Sequence, residues 1–207
     1  MPGPTTVLNS GKTVAEICQA AELSDEALAL LNDGQDGRGY VDHLVALGHY
    51  ADAIRFLAHA LPKRPAVWWA WYCARQAHGE DAPAKIQMAL EVTKQWIGEP
   101  NDKNRREAMH WAREVEFRTP AGCAGLAAFF CGESIGPPER DPVPPGEYMA
   151  AKVIAGCISL AAVVKEPEKA HAKFREFVQQ GLEVAEKTRL WVPTARPPAS
   201  SAIPLKV

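Results

Sequence analysis

The chain has 207 residues, 47% of them apolar and 23% charged, which is the profile of a globular protein rather than a disordered one. Its formal charge of −2 gives no bulk field to hold nucleic acid or an anionic membrane. Five scattered cysteines without a C-x-x-C pair exclude a disulfide framework or a zinc knuckle, and seventeen prolines stand out.

The N-terminus, from Met1 to Thr6, has no basic stretch followed by an apolar one, so no secretory signal is expected. Ser10-Gly11-Lys12-Thr13 has the ending of a phosphate-binding loop, but it lacks the earlier glycine and a preceding strand. Thr13-Val14-Ala15-Glu16 reads instead as a capping box, in which the Thr13 hydroxyl and the Glu16 carboxylate each serve the other's amide. Ser24 caps a second helix through Leu28 to Leu31, and the segment from Asn32 to Gly39, with three glycines, is expected to break it. Prolines 65, 83, 120 and 167 sit where a first helical turn tolerates them.

Apolar residues then recur at helical spacing: Tyr50, Ala53, Ile54, Leu57 and Leu61 on one face, then Ile86, Ala89, Leu90, Thr93, Trp96 and Ile97. Ala108, Trp111, Ala112 and Val115 form a third stripe, and Ala170, Phe174, Phe177, Val178 and Ala185 a fourth. Segments 121–131 and 149–164 are apolar on all sides and are expected to be central. The run from Val153 to Val164 is too short to span a bilayer, which takes about 20 residues. No run alternates with period two. The expected fold is all-α, a compact array of about nine or ten short helices packed as hairpins. It forms a single domain over 1–191, crossed by a proline-rich loop at 136–146 and followed by a disordered tail at 192–207. With no signal, lipidation motif or spanning segment, the expected location is cytoplasmic, and neither a membrane nor a nucleic-acid partner is expected.

Four groups of residues are candidates for function. Glu107-Ala108-Met109-His110 and Glu168-Lys169-Ala170-His171 are two Glu-x-x-His motifs of the kind helical di-metal proteins use. At about 100° per residue, however, His110 lies about 150° from the centre of its helix's apolar stripe, so solvated helix charge is the stronger reading. A carboxylate/histidine metalloprotein or small-molecule binder remains only as the alternative; no catalytic residue, metal or cofactor is assigned. Cys73 with His59 or His78 is a conceivable nucleophile pair, but a cysteine on an apolar helix is inert. The aromatic run Trp68, Trp69, Trp71 and Tyr72 belongs either to a helix buried on several sides or to a binding surface; Trp69, about 200° around from Trp71, is the expected exposed contact. Arg55, Lys63, Arg64 and Arg75 cluster around one turn and its helices, where they can bind an acidic partner segment or a helix C-terminus, a solvated rim being the commoner reading of such a cluster.

Residues 48–72 resemble a tetratricopeptide repeat junction: Gly48, Tyr50, Ala53, Ile54, Leu57, Ala60, Leu61 and Pro65 fall at that family's positions, and Trp71-Tyr72 match the aromatic start of a following repeat. The resemblance implies close helix pairing through Gly48 and Ala53. No second copy follows at the 34-residue period. The runs Arg55 to Arg64, Val67 to Ala70, Val14 to Cys18, Tyr148 to Val153 and Phe177 to Ala185 resemble an uncharacterised bacterial family of all-helical proteins. That resemblance carries no activity. It implies an association with type VI secretion or related effector loci, hence a non-enzymatic adaptor or chaperone whose partner is another protein, such as a secretion-system component or effector. Arg55, Lys63, Arg64, Trp69 and Arg75 are the expected partner-binding residues.

Overall fold

A computed structural model describes residues 7–9 and 11–192. Among them are ten α-helices and no strand: α1 (Val14–Ala20), α2 (Asp25–Ala29), α3 (Gly37–Ala46), α4 (Tyr50–Ala60), α5 (Lys63–His78), α6 (Ala84–Gly98), α7 (Asp102–Glu114), α8 (Pro120–Phe129), α9 (Met149–Val163) and α10 (Ala170–Lys187). A single 3₁₀ turn, Pro167–Lys169, leads into α10. The expected tail lies outside the described residues from 193 onward. None of the described helices is long and apolar enough to cross a membrane.

The helix starts follow local chemistry. The capping box at α1 is formed: the Glu16 amide donates to Thr13 Oγ1 at 3.2 Å, and the Thr13 amide donates to Glu16 Oε2 at 2.7 Å. That bond holds the Glu16 carboxyl below its ordinary value. Ser24, Asn101 and Thr119 cap α2, α7 and α8 through their side chains, and Pro120 occupies the first turn of α8. Lys12, in the phosphate-loop-like stretch, donates instead to Glu147 Oε1 at 2.7 Å and to the Tyr148 hydroxyl at 2.9 Å.

Two local expectations need correction. The glycine-rich segment does not stop at Gly39: Asp36 Oδ1 accepts from the Gly39 amide at 2.8 Å, and α3 begins at Gly37. Gly37 is there for space, since a Cβ would stand 2.9 Å from Leu8 and 3.0 Å from the Trp191 ring. Gly48 does not serve close helix pairing either. A Cβ on it would meet nothing within 4 Å, and its φ of +81° is what requires glycine as the chain leaves α3.

Packing is centred on α9, which contacts α8, α5, α4 and α10. Ile154, Cys157, Ile158, Ala161 and Ala162 are buried on one face of α9, whereas Lys152, Gly156 and Val163 are exposed on the other, so the helix is central without being covered on all sides as expected. α6, α7 and α8 pack on one another in sequence. α4 and α5 adjoin in the chain but lie mainly against α9, each with its own further neighbours, rather than as a tight pair. The region between α8 and α9 is non-helical from Gly132 to Gly146, as its prolines dictate. It is nevertheless folded: the Ile135 amide donates to the Val143 carbonyl at 2.8 Å, and Ser134 Oγ accepts from the Gly136 and Val143 amides.

Candidate functional site: a basic cleft beside the proline-rich loop

This loop, the start of α5, the end of α6 and the start of α7 enclose a cleft of about 640 Å³. Its walls carry five basic side chains, Lys63, Arg64, Arg105, Arg106 and Arg140, against two acidic ones, Asp102 and Glu133. Prolines 100, 137, 138 and 142 complete the walls, and proline presents no backbone N–H to a ligand.

The five cations differ in how far the chain itself satisfies them. Arg105 is 3% exposed on the same face of α7 as Ala108 and Ala112. Its Nη1 donates to the Phe129 carbonyl at 2.8 Å, its Nη2 to the Ser134 carbonyl at 2.8 Å, and its Nε to Asp102 Oδ1 at 3.0 Å. Nη2 reaches Asp102 as well, and the guanidinium lies 4.7 Å from the centre of the Phe129 ring. Arg106 donates to Asp102 Oδ2 at 2.7 Å and to the Gly136 carbonyl at 2.9 Å. The bonds from Arg106, then Arg105, hold the Asp102 carboxyl below its ordinary value. One aspartate and two arginines thus pin the proline-rich loop to α7.

Arg64 donates to the Ile97 and Gly98 carbonyls, the latter at 2.9 Å, and so caps the C-terminus of α6. Lys63 and Arg140 are exposed, and among the described residues neither side chain has an acceptor or an acidic partner. Lys63 and Arg64 also fill the first two positions of α5, where the helix dipole disfavours positive charge and no side chain caps the amides. The cleft therefore has a positive surplus concentrated at its rim, where Lys63 feels only the charge of the Glu147 carboxylate without bonding to it. Cys131, also in the wall, is inert: its thiol donates to the Ala127 carbonyl at 3.2 Å, and burial pushes its pKa up to about 12.

The five expected partner-binding residues do not form one surface. Lys63 and Arg64 share the cleft. Arg55 turns away to the Glu22 carbonyl at 3.2 Å, beside Asp52 at 3.9 Å. Arg75 lies over the Trp71 ring at 5.9 Å, twelve residues or about 18 Å further along α5. Trp69, the expected exposed contact, is 0% exposed. Its Nε1 donates to the Phe177 carbonyl at 2.8 Å, and Gly181 of α10 lies so close that a Cβ there would stand 2.6 Å from its ring. α5 is buried on both sides, because Trp71 likewise donates to the Leu90 carbonyl at 2.9 Å on α6. The aromatics left partly exposed are Trp68 and Tyr72, stacked with ring centres 5.5 Å apart.

The two Glu-x-x-His motifs are separate and outward. Glu107 accepts from the Trp111 indole at 3.0 Å, His110 is exposed beside Trp111, and His171 is exposed against Tyr50. Among the described residues no three His, Cys, Asp or Glu side chains converge as a metal site would need. Cys73 is buried, and burial raises its thiol pKa far above the ordinary value. His59 Nδ1 donates to the Arg55 carbonyl at 2.8 Å while its Nε2 is buried without a partner, and burial lowers its pKa.

Arg105, Arg106 and Arg140 were not singled out by sequence reasoning. For Arg105 a signal exists: an arginine at i relative to Ala108 and Ala112, at i+3 and i+7, stands on the buried stripe of α7 and must find acceptors there. No curated protein and no solved structure matches the chain. A family model does match over residues 40–185, which hold the whole cleft, and the chain belongs to that family, the family of unknown function DUF6931.

Proposed function

We propose that the protein is a non-enzymatic interaction module, adaptor or chaperone in type, that seats an acidic, extended segment of a partner protein in the cleft between α5, α7 and the proline-rich loop. One observation carries the reading: five basic side chains line the cleft against two acidic ones, and among the described residues Lys63 and Arg140 make no side-chain hydrogen bond or salt bridge. The chemistry of the walls favours carboxylates spread along a chain over a single phosphate. Phosphate sites are built largely from converging backbone N–H groups, whereas here prolines remove such donors and the cations come from three separate segments.

The test is fluorescence anisotropy with a labelled peptide of ten glutamates. The wild-type chain should bind it saturably at low salt and lose affinity as salt screens the contacts. Lys63→Glu combined with Arg140→Glu should weaken binding at least about tenfold, because it removes two attractions and adds two repulsions. The variant's denaturation midpoint should not fall, since Lys63→Glu places a favoured charge at the start of α5. No saturable binding, or equal affinity in the double variant, overturns the reading. Displacement of the peptide by inorganic phosphate more strongly than by chloride at equal ionic strength overturns it in favour of a phosphate ligand.

A further inference from the structure

We infer that the partner segment carries an apolar anchor next to its acidic residues, and that this anchor sits against Trp68 in a second groove beyond Arg64. The inference rests on the acidic-segment reading and adds a second determinant to it. The groove has a volume of about 380 Å³ and is walled by Pro65, Trp68, Ile97 and Val184, with Lys187 and Thr188 beside them. Arg64 lines both this groove and the basic cleft. Its bonds to the Ile97 and Gly98 carbonyls fix the guanidinium on the boundary, so one ligand passing Arg64 meets charge on one side and apolar surface on the other.

Arg64, Trp68 and Tyr72 stand four residues apart and form one stripe along α5. Trp68 is held by stacking on Tyr72 at 5.5 Å, yet it is only partly buried, and among the described residues its indole N–H has no acceptor. A rigid aromatic with an unused donor, beside a charged cleft, has the character of an interface anchor point. The geometry also sets a spacing. One helical turn, about 6 Å, separates Arg64 from Trp68 along the axis, and an extended peptide covers that in about two residues. The partner motif is therefore a run of acidic residues with an aliphatic or aromatic residue two or three positions beyond the last of them.

Three labelled peptides test this by anisotropy: six glutamates alone, six glutamates followed by Gly-Leu, and six glutamates followed by six glycines and Leu. The Gly-Leu peptide should bind the wild-type chain about tenfold more tightly than glutamates alone, through burial of one leucine. The long-spacer peptide should gain less. Trp68→Ala should abolish the gain and leave the affinity for glutamates alone unchanged; Ile97→Asn on the opposite wall should do the same and guards against a folding defect in the first variant. Equal affinities of the Gly-Leu and glutamate-only peptides for the wild-type chain overturn the inference while the cleft reading stands. If neither peptide binds, both fall. If sedimentation shows self-association that Trp68→Ala removes, the groove belongs to a second copy and the inference is overturned.

Discussion

Arg105 and Arg140 border the same cleft and carry the same charge, but their surroundings differ in every physical respect. Arg105 is buried, and Asp102, Phe129 and Ser134 take up its donors. Arg140 is exposed, and among the described residues only its backbone amide is bonded, to the Pro137 carbonyl at 3.2 Å. Burying a guanidinium is tolerable only when its donors are met, so the inner arginine belongs to the fold. The rim arginine keeps its hydration in the free protein and can exchange it for a ligand's carboxylates. Position relative to the core, not charge, divides the cleft into a scaffold and a contact surface.

The largest effect expected from this contrast is on stability. Arg105→Ala takes its donors from the Phe129 and Ser134 carbonyls and removes a packed side chain, and should cost about 3 kcal/mol in a urea titration. Arg140→Ala should change stability by less than about 0.5 kcal/mol. Similar losses in both variants would erase the distinction between wall and rim.

A smaller effect is expected in the acid range. Asp102 has its folded-state pKa lowered below the ordinary 3.8 by bonds from Arg106 and Arg105. A depressed carboxyl contributes stability that is present above the unfolded-state value and is lost as pH falls through the folded-state value. The gap in stability between the wild-type chain and Asp102→Asn should therefore narrow as pH falls below 3.8, and a gap independent of pH would show that Asp102 does not clamp the loop as an ion.

Much of the fold was legible because its signals are local. Thr13 with Glu16, Ser24 and Thr119-Pro120 announce helix starts within four residues, and the apolar stripe on α6 and the apolar run of α8 report burial directly. Local reading failed where a distant segment decided the outcome. Gly37 looked like a helix stop, but Asp36 caps α3 there, and the position is glycine because distant Leu8 and Trp191 occupy the space beside it. Trp69 looked exposed because one apolar side was assigned to α5, whereas α10 covers the other. The cleft was legible only in part. Lys63 and Arg64 were found as neighbours in a basic turn, but the loop and arginines that complete the site lie about 40 to 80 residues away along the chain.

Hydrogen exchange of the full chain with and without the ten-glutamate peptide, read by mass spectrometry, tests the central claim most directly, because it reports where the peptide sits. The cleft account predicts slower exchange confined to the starts of α5 and α7 and to residues 131–142. Slowed exchange around Arg55 or Arg75 instead, with the cleft segments unchanged, would contradict it.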